Sequence, residues 1–180
     1  MLRIFSFVFA LLTTPAVAND WDGLAQPGAF AIMRHALAPG GGDPANMRIG
    51  DCATQRNLDA RGRAQARNIG AAFKARGIAF DAIYSSQWCR TRETAELLGM
   101  GPVQDWPSLN SFFSDFSTRD SQSRKTLDLI AGLDGAKVML VTHQVNISAL
   151  TGRGTRSGEV LIVRQGADRL EVLGSILIAP

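Results

Sequence analysis

Histidine is scarce in this chain. There are only two, His35 and His143, set far apart in the sequence. Two lone imidazoles without a nearby cysteine or carboxylate cluster make a poor metal site, so no metal and no cofactor are expected. Cysteine is equally scarce: Cys52 and Cys89 are the only two, and no Cys-x-x-Cys occurs. A disulfide-dense miniature fold and a zinc ribbon are thereby excluded. A large charge of one sign is also missing. Nineteen basic and sixteen acidic residues leave +3, too little for a general nucleic-acid binder. Beyond the N-terminus no apolar run approaches membrane-spanning length. No internal repeat or low-complexity tract interrupts the chain. What remains is an ordinary globular composition, 46% hydrophobic and 19% charged, over a length that suits one domain with a real core.

The first residues stand apart. Arg3 supplies a positive start, an apolar run covers residues 4–12, and Ala16-Val17-Ala18 is a small-residue cleavage signal. The pattern predicts a secretory signal peptide over residues 1–18 and a single domain over 19–180; an uncleaved anchor is the alternative. Loss of Arg3 lowers the net charge to +2. The expected location is the periplasm or the exterior, with no stable membrane span after cleavage. Export places Cys52 and Cys89 in an oxidising space, where a bridge between them would hold the Asp51 loop against the Arg90 helix. Two buried free thiols are the other possibility.

Consecutive apolar residues at Phe30-Ala31-Ile32-Met33 predict a strand covered on both faces. Pro39-Gly40-Gly41-Gly42-Asp43-Pro44 is a breaker-rich loop. Asp59 reads as an N-cap, after which Ala66, Ile69, Ala72 and Phe73 fall at helical spacing until Gly77. Arg56, Arg61, Arg63, Arg67, Lys74 and Arg76 crowd this region and read as a solvated face, with attraction of an anionic substrate as a second reading. Short strands are predicted over 82–84 and 102–104, with a helix over 90–98 ended by Gly99. Residues 106–120 are irregular and aromatic, either a lid or a packed surface loop. A helix over 123–133, a buried strand over 137–141, a short helix over 145–150 and closing strands over 159–164 and 170–178 complete the chain. The alternation predicts an α/β fold: a three-layer sandwich with a mostly parallel central sheet and helices on both faces. In such folds ligands gather beyond the carboxyl ends of the strands, and His35, Ser85-Ser86 and His143 all fall there.

Two imidazoles and several guanidiniums at one sheet edge suit a phosphoryl group. Phosphate monoesters resist hydrolysis. A neutral imidazole is a competent nucleophile near pH 7, and neighbouring guanidiniums both disfavour its protonation and bind phosphoryl oxygens. His35 is the candidate nucleophile, with Arg34 and Arg90 as phosphate ligands. His143, helped by backbone N–H groups of residues 144–146, is the candidate second hydrogen-bond donor. The leaving oxygen also needs a proton.

The same residues carry a family resemblance. Arg34-His35-Ala36, the run Ser85-Ser86-Gln87-Trp88-Cys89-Arg90-Thr91-Arg92-Glu93-Thr94-Ala95, Val141-Thr142-His143, and Asn57-Leu58-Asp59-Ala60-Arg61-Gly62-Arg63-Ala64-Gln65-Ala66 occur in the order of the motifs of the histidine phosphatase superfamily. The chain resembles that superfamily, which includes phosphoglycerate mutases and acid phosphatases, over residues 28–165. The resemblance implies a two-step reaction without metal. His35 would become phosphorylated and then be hydrolysed, while Arg34, Arg90 and His143 hold the phosphoryl oxygens. Three departures stand out. Ala36 replaces the family's glycine. Gln144 stands where acid phosphatases carry their aspartate. Ser111, in Leu109-Asn110-Ser111, stands where mutases carry their glutamate. The proton donor is therefore assigned to Asp115, with Asp120 and Glu93 as alternatives. The loop after His35 lacks the mutase pattern.

These observations lead to an exported phosphatase acting on a phosphorylated small molecule or glycolipid, such as a lipopolysaccharide or sugar phosphate. A non-catalytic phosphate-binding or interaction protein with the same fold is the alternative, favoured by the missing carboxylates. A plain exported scaffold is the third reading.

Overall fold

The computed structural model describes residues 19–180; the expected signal peptide, residues 1–18, lies outside them. Six strands form one mixed sheet: β1 (Ala29–Arg34), β2 (Ala82–Ser85), β3 (Val103–Asp105), β4 (Val138–Thr142), β5 (Val160–Gln165) and β6 (Leu170–Ile176). Four α-helices accompany them: α1 (Ala60–Lys74), α2 (Cys89–Leu98), α3 (Arg119–Ala131) and α4 (Gln144–Thr151). The strand order is β3-β2-β4-β1-β5-β6. The pairings β2–β3, β2–β4 and β1–β4 are parallel, and β1–β5 and β5–β6 are antiparallel.

Alternate residues of the central strands feed two separate cores, as the strand period of two requires. Ala31, Met33, Met139, Val141 and Ile162 pack against Ile69 and Phe73 of α1 and Ala95 and Leu98 of α2. Phe30, Ile32, Leu140, Leu161 and Val163 pack against Ile130 of α3 and Ile147 and Leu150 of α4. All five residues of β4 are buried, which explains why its sequence shows no polar alternation.

Helix α1 begins where expected. The Asp59 side chain accepts from Gly62 N at 2.7 Å. Two glycines on one face of α1 permit an unusually close approach. A Cβ at Gly62 would stand 1.9 Å from Leu37 O, and one at Gly70 would stand 2.0 Å from Leu98 O. The helix can lie against the loop after β1 and the end of α2 only because both side chains are hydrogen.

Some boundaries differ from expectation. Helix α3 starts at Arg119 rather than residue 123, and the aromatic stretch before it contains 3₁₀ turns at Pro107–Leu109 and Phe116–Thr118. That stretch is partly packed. Leu109 and Phe112 are buried, and Trp106 stacks on Tyr84. Cys52 and Cys89 are joined by a disulfide that ties the 51–57 loop to the first residue of α2. Among the described residues no helix is long and apolar enough to cross a membrane.

Candidate active site

Strands β1, β2 and β4 lie side by side and end together. Met33 is in register with Val141, and Ser85 with the same Val141. Just past these ends, His35 N donates to Thr142 O and Ser86 N to Val141 O. The parallel register therefore carries His35 and His143 to one place, with ring centroids 5.6 Å apart. Both are almost fully buried, at 2% and 4% exposure.

The hydrogen-bond network assigns each ring its tautomer. His35 Nδ1 lies 2.7 Å from the Ala36 carbonyl, which can only accept, so Nδ1 carries the proton. Its Nε2 lone pair faces the Arg90 Nε–H at 3.2 Å. Around His143, Thr91 Oγ1 donates to Trp88 O at 2.7 Å. Ser86 Oγ then donates to Thr91 Oγ1 and accepts from His143 Nε2, both at 2.8 Å. This leaves the Nδ1 lone pair of His143 facing Arg90 Nη2 at 3.4 Å. Burial first, and then the charge of Arg90, hold His35 well below its ordinary value of 6.5. Burial and then the neighbouring His35 do the same for His143. Both rings are neutral near pH 7.

Arg90 is 3% exposed and uses both edges of its guanidinium. The Nε/Nη2 edge faces the two imidazoles. The Nη1/Nη2 edge meets Asp43 in a bidentate pair at 2.7 and 3.0 Å. Asp43 also accepts from Arg56 N at 3.2 Å and from Trp88 Nε1 at 3.1 Å. Burial pushes the Asp43 carboxyl up, but the hydrogen bonds and charge of Arg90 outweigh it and hold the group below its ordinary value. Asp43 thus orients Arg90, leaving its other edge for a ligand.

Arg34 Nη1 donates to Gln144 Oε1 at 2.7 Å and to Thr155 O at 3.2 Å. Its Nε is buried and donates to no protein group. Gln144, which replaces an expected acid, serves as an anchor for this arginine. Buried Glu159 accepts from Arg156 N and Arg153 Nη2, bracing the loop that presents Thr155 O.

These groups floor a cavity of about 570 Å³. Its walls include Gly40–Gly42 on one side and Phe112, Phe113 and Phe116 on another, with Ser111, Arg119, Val145, Ser148 and Ala149. The structure thus brings His35, His143, Arg34 and Arg90 together, but His143 gives its proton to Ser86 Oγ and its lone pair to Arg90, so it is not the phosphoryl hydrogen-bond donor expected of it. The structure does not bring the expected acids there. Asp115 is turned away: its carboxylate caps the following 3₁₀ turn, accepting from Ser117 N at 3.0 Å and Ser117 Oγ at 2.6 Å. Those bonds hold it below its ordinary value, the opposite of what a proton donor needs. Asp120 is an exposed residue of the first turn of α3. Glu93 pairs with Arg63 at 2.5 Å and does not line the cavity.

Two contributors are not readable from the sequence pattern. Asp43 sits in a run that signals only a turn. Arg56 falls among the basic residues of a solvated helix face, yet it precedes α1 and lines the cavity, donating to Gly42 O at 2.8 Å and to Ala38 O. Its position ahead of the Asp59 cap is the one available signal. Among the described residues no cluster of three or more metal-ligating side chains occurs.

Two neutral imidazoles and converging guanidiniums at the carboxyl ends of parallel strands define a phosphoryl-transfer site on an α/β sandwich. The chain belongs to the histidine phosphatase superfamily, branch 1, whose family model matches residues 31–122. It is a phosphatase enzyme, and its fold recurs in solved structures of that kind. The protein histidine phosphatase SixA complexed with tungstate is 17% identical over 82% of this chain and 96% of its own, with a TM-score of 0.57. A phosphoglycerate mutase from Thermus thermophilus is 20% identical over 83% of this chain and 99% of its own, with a TM-score of 0.60. A mycobacterial glucosyl-3-phosphoglycerate phosphatase in complex with VO3 is 16% identical over 81% and 97%, with a TM-score of 0.58. No curated protein matches the sequence.

Proposed function

We propose that this protein is an exported, metal-independent phosphatase that hydrolyses a phosphomonoester through a phosphohistidine on Nε2 of His35. The observation that carries the reading is the His35 ring itself. One nitrogen is tied to a carbonyl, and the other presents its lone pair to a guanidinium edge. In the first step that lone pair attacks phosphorus, an N–P bond forms, and the P–O bond to the leaving group breaks. Arg90 Nε and Nη2, together with Arg34 Nε, hold the phosphoryl oxygens. In the second step water attacks phosphorus, the N–P bond breaks, and inorganic phosphate leaves with return of the neutral imidazole. Two proteins of the same fold hold oxyanions, tungstate and VO3, which suits this assignment.

Export rests on Arg3, the apolar run after it and Ala16-Val17-Ala18, and the disulfide is compatible with it. A sugar or glycolipid phosphate is the substrate class expected from the exported branch of the family. Above the phosphoryl seat, however, the uncharged polar side chains are Ser111, Gln144 and Ser148, and Gln144 is engaged by Arg34. A second reading, a phosphate-binding protein without turnover, draws on one observation: Ser111 and Gln144 stand where relatives carry an acid.

The test is incubation of the mature protein with p-nitrophenyl phosphate from pH 4 to 8, with and without EDTA. Turnover is expected to resist EDTA and to vanish in His35→Ala. An acid-labile, base-stable phosphoenzyme is expected to accumulate in a rapid quench with radiolabelled substrate. Phosphate binding without turnover would support the second reading.

A further inference from the structure

Three features of the cavity bear on what leaves when the P–O bond breaks. First, its outer wall is aromatic and unused. Phe113 and Phe116 are 60% and 57% exposed, and they are two of the four large hydrophobic side chains exposed among the described residues. Both line the cavity. Phe116 lies 5.7 Å from the buried Phe112 and 6.3 Å from Phe113, centroid to centroid, so the three rings form a continuous patch. Leaving aromatic area in water is unfavourable unless something covers it. Second, the loop Gly40-Gly41-Gly42 supplies another wall with no side chains. A Cβ at Gly41 or Gly42 would meet nothing within 4 Å. Aromatic rings together with an unfilled glycine wall leave room for a flat ring.

Third, among the described residues no free acid stands beside the leaving oxygen. Among the described residues lining the cavity, Asp43 is the sole carboxylate. Each of its oxygens already accepts two hydrogen bonds, from Arg90 and Arg56 N on one and from Arg90 and Trp88 on the other. A protonated Asp43 would have to give up part of that set. His143 directs its Nδ1 lone pair at Arg90 Nη2 and its Nε2 proton at Ser86 Oγ, so neither nitrogen offers a proton to the leaving oxygen. A leaving group that departs unprotonated must be a weak base. A phenol, with a pKa of about 10, qualifies far better than an aliphatic alcohol, whose acidity is near that of water at about 16.

We infer that the substrate is an aryl phosphomonoester, a phosphorylated phenol, whose ring lies against Phe112, Phe113 and Phe116 and whose oxygen leaves as the phenolate. The inference rests on the phosphatase reading above and names its substrate class. His35 Nε2 forms the bond to phosphorus, the P–O(aryl) bond breaks, and the electron pair leaves with the phenolate, which takes a proton from water on release. Arg119 also lines the cavity and could pair with an anionic substituent of the ring.

Three substrates separate the elements of the inference. Phenyl phosphate is aromatic and activated, octyl phosphate is apolar but leaves as an alkoxide, and acetyl phosphate is activated but small. With the disulfide-bonded mature protein, kcat/KM, which reports the P–O cleavage step, is expected to be at least a hundredfold higher for phenyl phosphate than for octyl phosphate. KM for phenyl phosphate is expected to lie about tenfold below that for acetyl phosphate. The double variant Phe113→Ala, Phe116→Ala changes only exposed side chains and is expected to lower the phenyl-to-acetyl ratio of kcat/KM about tenfold. Phe→Leu at both positions is expected to fall between. Comparable kcat/KM for octyl and phenyl phosphate would overturn the inference, because a protein acid would then be at work. A phenyl-to-acetyl ratio insensitive to both double variants would overturn it as well. Turnover of none of the three would sink the phosphatase reading itself. A phosphotyrosine hexapeptide beside phenyl phosphate distinguishes a tyrosyl source from a free phenol, and efficient turnover of either sustains the inference.

Discussion

A neutral nucleophile at His35 needs two things at once, a proton fixed on the far nitrogen and positive charge nearby. The Ala36 carbonyl meets the first and Arg90 the second. Burial and guanidinium charge both work against the imidazolium, so the acid limb of kcat/KM is expected well below pH 6.5, read from a pH–rate profile. Arg90→Gln removes one of those causes and is expected to move the limb to higher pH while also weakening phosphate binding. Asp43 acts one step back. Asp43→Asn leaves one acceptor oxygen where Arg90 now meets two, and kcat/KM is expected to fall about ten- to a hundredfold, or ~1.4–2.8 kcal/mol. The loss should appear mainly in KM, with the pH profile retaining its shape. A vanished acid or basic limb in Asp43→Asn would instead make Asp43 a proton carrier.

At the scale of elements, the site depends on how closely α1 and α2 can approach. Gly70→Ala places a methyl against Leu98 O and Gly62→Ala places one against Leu37 O, both backbone atoms that cannot swing aside. Each is expected to destabilise the fold by at least ~1–3 kcal/mol, measured by urea denaturation. Gly62→Ala is expected also to lower activity, because Leu37 lies two residues past His35. The disulfide ties the loop bearing Gln55 and Arg56 to the start of α2, next to Arg90. Its ends are 37 residues apart, so loop-closure entropy alone suggests a loss of about 4 kcal/mol in Cys52→Ser, Cys89→Ser. Thermal melts with and without reductant check this.

For the whole molecule, two buried imidazoles set a limit on acid stability. The folded pKa of each is lowered, so below about pH 6.5 the unfolded chain binds more protons than the native one. Stability from this source is complete above that pH and is lost as pH falls toward the lowered native values. Melting temperature is expected to decline from pH 6.5 downward, and His35→Asn is expected to reduce the slope. The export proposal is tested by fractionating cells that express the full chain. Recovery outside the cytoplasm with a new N-terminus near Asn19 supports it, and a cytoplasmic full-length chain would refute it.

Much of this is legible in one dimension. Strand and helix alternation follows from apolar periodicity, and local hydrogen bonding makes caps such as Asp59 readable. The two histidines and Arg34 follow or end strands, Arg90 opens the helix after a third, and a parallel sheet aligns strand ends whatever the details of its packing. The proton donor is not legible. Asp115, Asp120 and Glu93 look equivalent in sequence, and only their partners distinguish them: a 3₁₀ turn, solvent and Arg63. Asp43 and Arg56 escape a sequence reading for the same reason, since the groups they touch are 47 and 18 residues away. The chain order alone settled which residues could form strands, helices and a phosphoryl seat. Which carboxylate faces that seat, which tautomer each imidazole adopts and what wall stands above it were decided by long-range contacts, because hydrogen-bond partners and burial are properties of neighbours in space.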